Sequence, residues 1–150
     1  MNALNSMYVR RGGILLGLLV ALVLAGCAEV PLVAKRSRVD DFDAAVKTYG
    51  KLMRWGYFDE AAKVLRARDG STIEADLARV ARYRVTRYDV GSKLVADTGR
   101  EGRVLASIEY YDVDTGVVQE LRDEQYWWYD DSEQRWFLGS PLPAFGLAAD

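Results

Sequence analysis

An acidic residue, an amide and a large aromatic residue recur at alternate positions near the end of the chain. Asp123, Gln125 and Trp127 have this spacing, and alternate residues of a β-strand lie on one face. A carboxylate and an amide among apolar neighbours can orient a ligand, and such a carboxylate can act as a general base. The three residues therefore form a candidate pocket. In the alternative interpretation, Asp123 pairs with a nearby arginine and Gln125 bonds the backbone, so both are purely structural.

Several other kinds of site are excluded by the residue types present. The chain has no histidine and a single cysteine, Cys27. Zinc sites built from Cys and His, and catalytic triads that use His, therefore cannot form, and no internal disulfide is available. Asp112 and Asp114 have the spacing of a calcium loop, but no glutamate follows at the required distance. We expect no metal ion.

The aromatic run Tyr126–Tyr129 faces Trp136 and Phe137 across a predicted turn. Strand alternation sends Trp127 and Trp128 to opposite faces, so one core cannot hold both. An exposed aromatic patch can bind a protein partner or a glycan, which makes Trp128 and Trp136 a candidate partner surface. The alternative is that the second tryptophan packs beneath the segment Pro141–Phe145.

The elements that would position these residues begin with helices over about residues 40 to 79. The predicted helices lie between Asp40 and Gly56, between Asp59 and Gly70, and between Ser71 and Arg79. Asp40 is a predicted N-cap, Gly56 a predicted C-terminal stop, and Ser71 with Glu74 matches a capping box. One apolar face of the first helix is formed by Phe42, Ala45, Val46, Tyr49, Leu52 and Met53.

After Val80 the hydrophobic period changes to two, which is typical of strands. The alternation slips between Val85 and Tyr88, and such a slip predicts a β-bulge. Three further strands are predicted: one whose inner row is Val104, Ala106, Ile108 and Tyr110, then Val117–Tyr129, then Arg135–Leu138. Short turns between them favour an antiparallel four-stranded meander. Helices followed by such a meander predict an α+β fold with the helices on one face, and a tail docked through Leu142 and Phe145.

This order of elements resembles the NTF2-like (cystatin-like cone) superfamily over about residues 40 to 145. It is also similar to small outer-membrane lipoproteins of proteobacteria. The residues that carry the resemblance are Arg54–Ala62, Ile108–Tyr111, Asp123–Tyr129 and Arg135–Trp136. The resemblance implies a curved sheet that bends around a pocket. Some NTF2-like isomerases use an acidic base with a tyrosine or second acid that holds an oxyanion. Asp123, Glu109, Tyr110 and Tyr111 are of these residue types, although their spacing matches no motif of the family, and Tyr110 is a further candidate pocket residue beside Asp123.

The amino terminus has the pattern of an export signal. Met1–Arg11 is a positive segment, and Ile14–Leu24 is an apolar segment of eleven residues, whereas a spanning helix needs about 20. The segment ends in Leu24, Ala25, Gly26 and Cys27, which resemble the lipobox of bacterial lipoproteins. The resemblance implies a signal peptide over residues 1–26 and covalent diacylglycerol and N-acyl (palmitate-type) chains on Cys27, with no other cofactor. The alternative is an uncleaved amino-terminal anchor.

The residues after Cys27 suggest where the protein works. Residues 27–39 are predicted to be a lipidated tether, and residues 146–150 a carboxyl-terminal tail. An aspartate after the lipobox cysteine usually favours the inner membrane, so Ala28 implies the periplasmic leaflet of the outer membrane. Lys35, Arg36 and Arg38 either contact anionic headgroups or belong to a solvated linker.

Charge and composition leave three functional hypotheses. Arg10 and Arg11 are the only charged residues before the predicted cleavage site, so 18 of the 20 basic side chains remain against 22 acidic ones. This balance does not favour nucleic-acid binding. The leading hypothesis is a non-enzymatic binding or adaptor module for another envelope protein or a cell-wall component. The alternatives are an isomerase or hydrolase with an Asp123-centred pocket, and a self-assembling structural subunit of an envelope complex.

Overall fold

The computed structural model describes residues 30–147. Its elements are α1 (Val30–Trp55), α2 (Phe58–Ala62), α3 (Leu77–Val80), β1 (Tyr83–Val95), β2 (Glu101–Asp112), β3 (Val118–Asp130) and β4 (Arg135–Leu138). The predicted signal peptide and the lipobox residues Leu24, Ala25, Gly26 and Cys27 lie outside the described residues. The side-chain contacts and strand pairings of the core all fall within one compact unit that begins at Arg36.

The sheet is an antiparallel meander with strand order β1-β2-β3-β4. Each strand pairs with the next one along the chain, so the predicted α+β class and four-stranded antiparallel meander are confirmed. The predicted turn between β2 and β3 is also present. There Asp112 accepts a hydrogen bond from the backbone N–H of Asp114 at 2.8 Å, and Gly116 adopts φ 68°, a conformation that glycine favours.

β1 is irregular in two places. Its register with β2 shifts between Val85 and Arg87, where the slip in alternation predicts a bulge, and again between Val90 and Ser92. The first shift confirms the prediction, and the second was not predicted. Because each extra residue bends its strand and increases the local twist, β1 turns twice along its length.

The apolar face of α1 packs on one face of the sheet. Phe42, Val46, Tyr49 and Met53 belong to the same buried core as Val104, Ile108, Trp127 and Trp136. The predicted face is correct, but the predicted start is wrong, because α1 begins at Val30 and Asp40 lies inside it. Pro31 falls in the first turn, where a missing N–H has no intrahelical partner to lose, so it does not prevent this earlier start.

The two helices predicted after α1 are much shorter than expected. α2 ends at Ala62 because the following backbone pairs with β4: Arg66 N donates to Leu138 O at 2.9 Å and Leu138 N to Val64 O at 2.8 Å. The capping box at Ser71 starts no helix. Asp76 caps α3 instead, by accepting from Arg79 N at 2.9 Å. Tertiary pairing therefore overrides the helix signal after α2, and a second local cap replaces the one predicted at Ser71.

The segment after β4 docks against the core through Leu142 and Phe145, as predicted. Leu142 and Phe145 are buried. The Phe145 ring lies 4.7 Å from that of Tyr110 and 5.6 Å from that of Tyr83. Arg79 donates to the Phe145 carbonyl at 2.9 Å. The tail thus covers the end of the core next to β1 and β2.

Gly102 allows α1 to approach the sheet closely, and its replacement by alanine tests that contact. A Cβ at this position would lie 2.5 Å from Cζ of Phe42, so the Phe42 ring would have to move out of a packed core. We expect Gly102→Ala to lower the free energy of unfolding by about 1–3 kcal/mol, as overpacking typically does. Urea denaturation measures the change. Gly91→Ala is the matched control, because a Cβ at this strand position meets only Leu105 O at 3.5 Å; equal losses in both variants would contradict the role given to Gly102.

Candidate functional site

The candidate pocket residues Asp123, Gln125 and Trp127 lie on the core-facing side of β3, as the alternation predicts. Their exposed fractions are 9%, 2% and 0%. Trp127 Nε1 donates to Gln125 Oε1 at 3.0 Å, and Gln125 Nε2 donates to Asp123 Oδ2 at 2.6 Å. Gln125 Nε2 also lies 2.6 Å from the Tyr88 hydroxyl, which accepts from it. We call this hydrogen-bonded chain of Trp127, Gln125, Asp123 and Tyr88 the buried network.

The purely structural alternative for these residues is wrong in its details. Asp123 is bonded by Gln125, and no arginine of the described chain forms an ion pair with it. Gln125 bonds three side chains rather than the backbone. The residue opposite Asp123 on β2 is Ala106, whose small side chain supplies no charge. The carboxyl group therefore sits in the core with a neutral donor only.

Burial changes the acidity of this carboxyl and of its neighbours. Loss of solvation raises the pKa of Asp123 from its ordinary 3.8 to about 6, and the hydrogen bond from Gln125 opposes the rise. Burial, followed by the negative charge of Asp123 and by Tyr88, raises the pKa of Tyr49 well above its ordinary value. Among the described residues the Tyr49 hydroxyl has no hydrogen-bond partner. Asp123 is thus protonated more readily than a surface aspartate, while Tyr49 stays neutral.

Tyr110 does not join the buried network, although the resemblance implies that it should. It pairs with Gln119, four residues beyond the Ala106–Asp123 pair, which places the two Cα positions about 13 Å apart along the strands. The Tyr110 hydroxyl donates to Gln119 Oε1 at 2.8 Å and accepts from Gly146 N at 3.2 Å. Tyr88 and Tyr49 occupy the positions near Asp123 instead.

Trp128 and Trp136 do not form an exposed surface. Their exposed fractions are 8% and 3%, so the prediction of an aromatic partner surface at these residues is wrong. Trp128 Nε1 donates to Arg66 O at 2.8 Å, and Trp136 Nε1 donates to Arg38 O at 2.8 Å. The segment after α2 covers the first tryptophan and α1 covers the second, whereas the sequence pattern favoured the segment Pro141–Phe145.

An open cavity of about 510 Å³ lies between α1 and β1. Its cationic side chains are Lys47, Lys51, Arg54 and Lys93, and its apolar floor includes Val46, Gly50, Tyr88 and Val90. We call this cavity the basic groove. Gly50 is needed for its shape, because a Cβ there would lie 2.8 Å from Cε1 of Tyr88. The Tyr88 ring therefore forms part of the floor while its hydroxyl bonds Gln125, so it separates the groove from the buried network.

The basic groove has an excess of positive charge. Lys93 pairs with Asp43, the one carboxylate of the lining, at 2.5 Å. No ion pair of Lys47, Lys51 or Arg54 is found within residues 33–147. These three residues are spaced i, i+4 and i+7 on α1 and so share one face. In the sequence this spacing is typical of a solvated helix face, and only the approach of β1 turns that face into a groove.

The described part of the chain offers no alternative centre for metal chemistry. Within residues 30–147 no group of three or more Asp, Glu, His or Cys side chains is arranged to hold a metal ion. None of the helices in the same range is long and apolar enough to cross a membrane. The buried network and the basic groove are therefore the two candidate sites.

Comparison with protein families, with curated proteins and with solved structures finds no match for this chain.

Proposed function

We propose that the chain is a lipid-anchored lipoprotein of the bacterial cell envelope whose α+β domain is a non-enzymatic binding module. The observation that carries this proposal is the contrast between the two sites. The basic groove is open and preformed, whereas Asp123, the residue best suited to catalysis, is 9% exposed and lies on the same face of β3 as Gln125 and Trp127, which are 2% and 0% exposed. A partner or ligand reaches the first site without any rearrangement of the core.

The side chains of the basic groove favour binding over catalysis. Ammonium and guanidinium groups hold anions by charge-assisted hydrogen bonds. The carboxylate of the lining, Asp43, is engaged by Lys93, so it is not poised to accept a proton from a substrate. The enzyme hypothesis relies on Asp123, whose raised pKa suits a general base. That carboxyl is 9% exposed and accepts a hydrogen bond from Gln125, so a substrate has little access to it.

The finer fold assignment, an NTF2-like cone, is part of the same proposal. Two features support it: helices cover one face of an antiparallel meander, and β1 carries two register shifts that bend the sheet. The known members bend their sheet around a pocket, and here the space under the sheet is filled by Tyr49 and Trp127. A crystal structure in which the sheet is flat would contradict the cone.

The anchor is tested at Cys27. We expect Cys27→Ser to abolish incorporation of an alkyne-labelled fatty acid in growing cells, because the thioether that holds the diacylglycerol cannot form. Gel fluorescence measures the label, and mass spectrometry of the mature amino terminus shows whether the chain begins at residue 27. Ala28→Asp is the matched control: it should keep the label and move the protein from outer to inner membrane fractions. Unchanged labelling of Cys27→Ser would contradict the lipoprotein proposal.

The binding function is tested by a photoreactive residue placed in the basic groove. We expect the chain with this residue at position 51 to form an adduct in living cells, and the chain with it at Arg122 to form none. Arg122 is the matched control because it is exposed on the opposite side of β3. A protein-sized adduct identifies a partner, and an adduct of two chains supports the self-assembly hypothesis. The binding module is contradicted if position 51 gives no adduct and Asp123→Asn abolishes a measurable turnover.

A further inference from the structure

We propose that the basic groove binds a small anionic amphiphile, a ligand with one acidic group and one short apolar chain. This inference rests on the proposed function, because it takes the groove as the binding site, and it adds the chemistry of the occupant. A volume of about 510 Å³ lies within the range of roughly 300–1,000 Å³ typical of small-molecule sites. The groove thus matches a single small ligand.

The acidic group is assigned to the cationic face of α1. Side chains four residues apart on a helix have Cβ atoms about 5–6 Å apart, so Lys47, Lys51 and Arg54 can converge on one carboxylate or phosphate. An arginine can bind such a group through two parallel N–H···O bonds. None of the three is engaged by a carboxylate within residues 33–147. Their hydrogen-bonding capacity is therefore available to a ligand.

The apolar chain is assigned to the floor of the groove. Val46 of α1 and Val90 of β1 line the groove together with the Tyr88 ring, and Gly50 leaves room for that ring. Val90 is exposed, so contact with a ligand chain would remove apolar surface from water. A purely ionic ligand would leave this floor uncovered.

Asp43 gives the ligand a direction. It lies eleven residues before Arg54 on α1, a separation of about 16 Å at 1.5 Å per residue. The Asp43–Lys93 ion pair contributes no net charge at that end of the groove, whereas Lys51 and Arg54 attract an acidic group at the other end. We therefore place the acidic group near Arg54 and the apolar chain toward Val46.

Isothermal titration of the full lipidated chain in phosphatidylcholine nanodiscs tests the proposal, with empty nanodiscs as the background. The probes are octanoate, acetate, which has the acidic group alone, and octyl glucoside, which has the chain alone. We expect saturable binding of octanoate, and none of acetate or octyl glucoside at the same concentrations. Absence of saturable octanoate binding, or equal binding of acetate, would overturn the proposal.

Variants of the full chain locate the site. We expect the double replacement Lys51→Glu, Arg54→Glu to weaken octanoate binding at least about tenfold, because like charges placed together are strongly unfavourable. Val90→Asn should also weaken octanoate binding, because it removes the apolar contact with the alkyl chain of octanoate and leaves the cationic side chains in place. Arg122→Glu, on the opposite side of β3, should leave it unchanged. Thermal unfolding confirms that each variant folds, and undiminished octanoate binding by the folded double variant would refute the assignment.

The two proposals fail in different ways. A protein-sized adduct at position 51 without octanoate binding would retain the binding module and reject the amphiphile. Octanoate binding that depends on Lys51 and Arg54 would support both proposals. If the chain isolated from cells carries no lipid on Cys27 and still binds octanoate, the amphiphile is supported and the anchor is rejected.

Discussion

Replacement of Trp127 by alanine is expected to lower the free energy of unfolding by about 3–5 kcal/mol, the usual cost of truncating a fully buried aromatic residue. The indole has no exposed surface. Its ring lies edge-on to Tyr49 at 5.7 Å and to Phe42 at 6.2 Å. The replacement also removes the donor to Gln125 Oε1, which leaves a buried acceptor unpaired. The cavity and the lost hydrogen bond therefore act together.

Urea denaturation followed by far-ultraviolet circular dichroism measures this loss. Trp55→Ala is the matched control, because that indole is 71% exposed and surface changes usually stay within about 0.5 kcal/mol. Trp127→Phe keeps most of the ring, so it remains folded if the alanine variant does not, and it should show a smaller loss. Similar losses at positions 55 and 127 would contradict the central packing role of Trp127.

The second large effect is a pH dependence of stability caused by Asp123. Because burial raises its pKa in the folded chain from 3.8 to about 6, the folded state holds this proton more tightly than the unfolded state. The stabilisation is complete below about pH 4 and is lost as the pH rises to and through 6. One pKa unit corresponds to about 1.4 kcal/mol, so the loss is on the order of 3 kcal/mol. Asp123→Asn, which cannot ionise, should not show it.

The difference between wild type and Asp123→Asn isolates this effect. Asp69, Asp130 and Asp131 have lowered pKa values, so they stabilise the folded state above the ordinary aspartate pKa and lose that contribution as the pH falls. These three residues are present in both wild type and Asp123→Asn, so their contributions cancel in the difference between the two unfolding free energies. Urea denaturation at intervals from pH 4.5 to 8 should show the variant gaining stability relative to wild type as the pH rises. A constant difference over this range would refute the raised pKa.

The sheet was predictable because its signals are local. Alternation in β2 identified its inner row, and the turn at Asp112 and Gly116 lies between two runs of strand-forming residues. The slip near Val85 also identified a bulge without any knowledge of the partner strand. α1 was predictable in its apolar face, since a period of 3.6 depends only on neighbouring turns.

The ends of the helices were less predictable because they depend on distant residues. α2 ends at Ala62 since Val64 and Arg66 exchange hydrogen bonds with Leu138, more than 70 residues away for both. The residues close to α2 in the sequence therefore do not indicate where this helix ends. The capping box at Ser71 was replaced by another local cap, Asp76, which accepts from Arg79 N.

In the candidate sites too, features set by neighbouring residues were predictable and those set by distant residues were not. Asp123, Gln125 and Trp127 share a strand, so their common face followed from a period of two. Tyr49 and Tyr88 come from other elements, and their approach to Asp123 depends on the packing of α1 and on the bulge in β1. For Trp128 and Trp136 the sequence predicted either a partner surface or packing beneath Pro141–Phe145. Neither prediction identified the segments that cover them, at Arg66 and Arg38, because these are distant in the sequence.

The two register shifts of β1 have a consequence for aggregation at high protein concentration. In the described chain β1 pairs only with β2, and an edge strand of thirteen residues is a template on which another copy could polymerise. The shifts at Val85 and Val90 interrupt the regular spacing of the outward N–H and C=O groups, so a second strand could not dock in register along the full edge. At high concentration the chains would then remain separate rather than grow into fibrils.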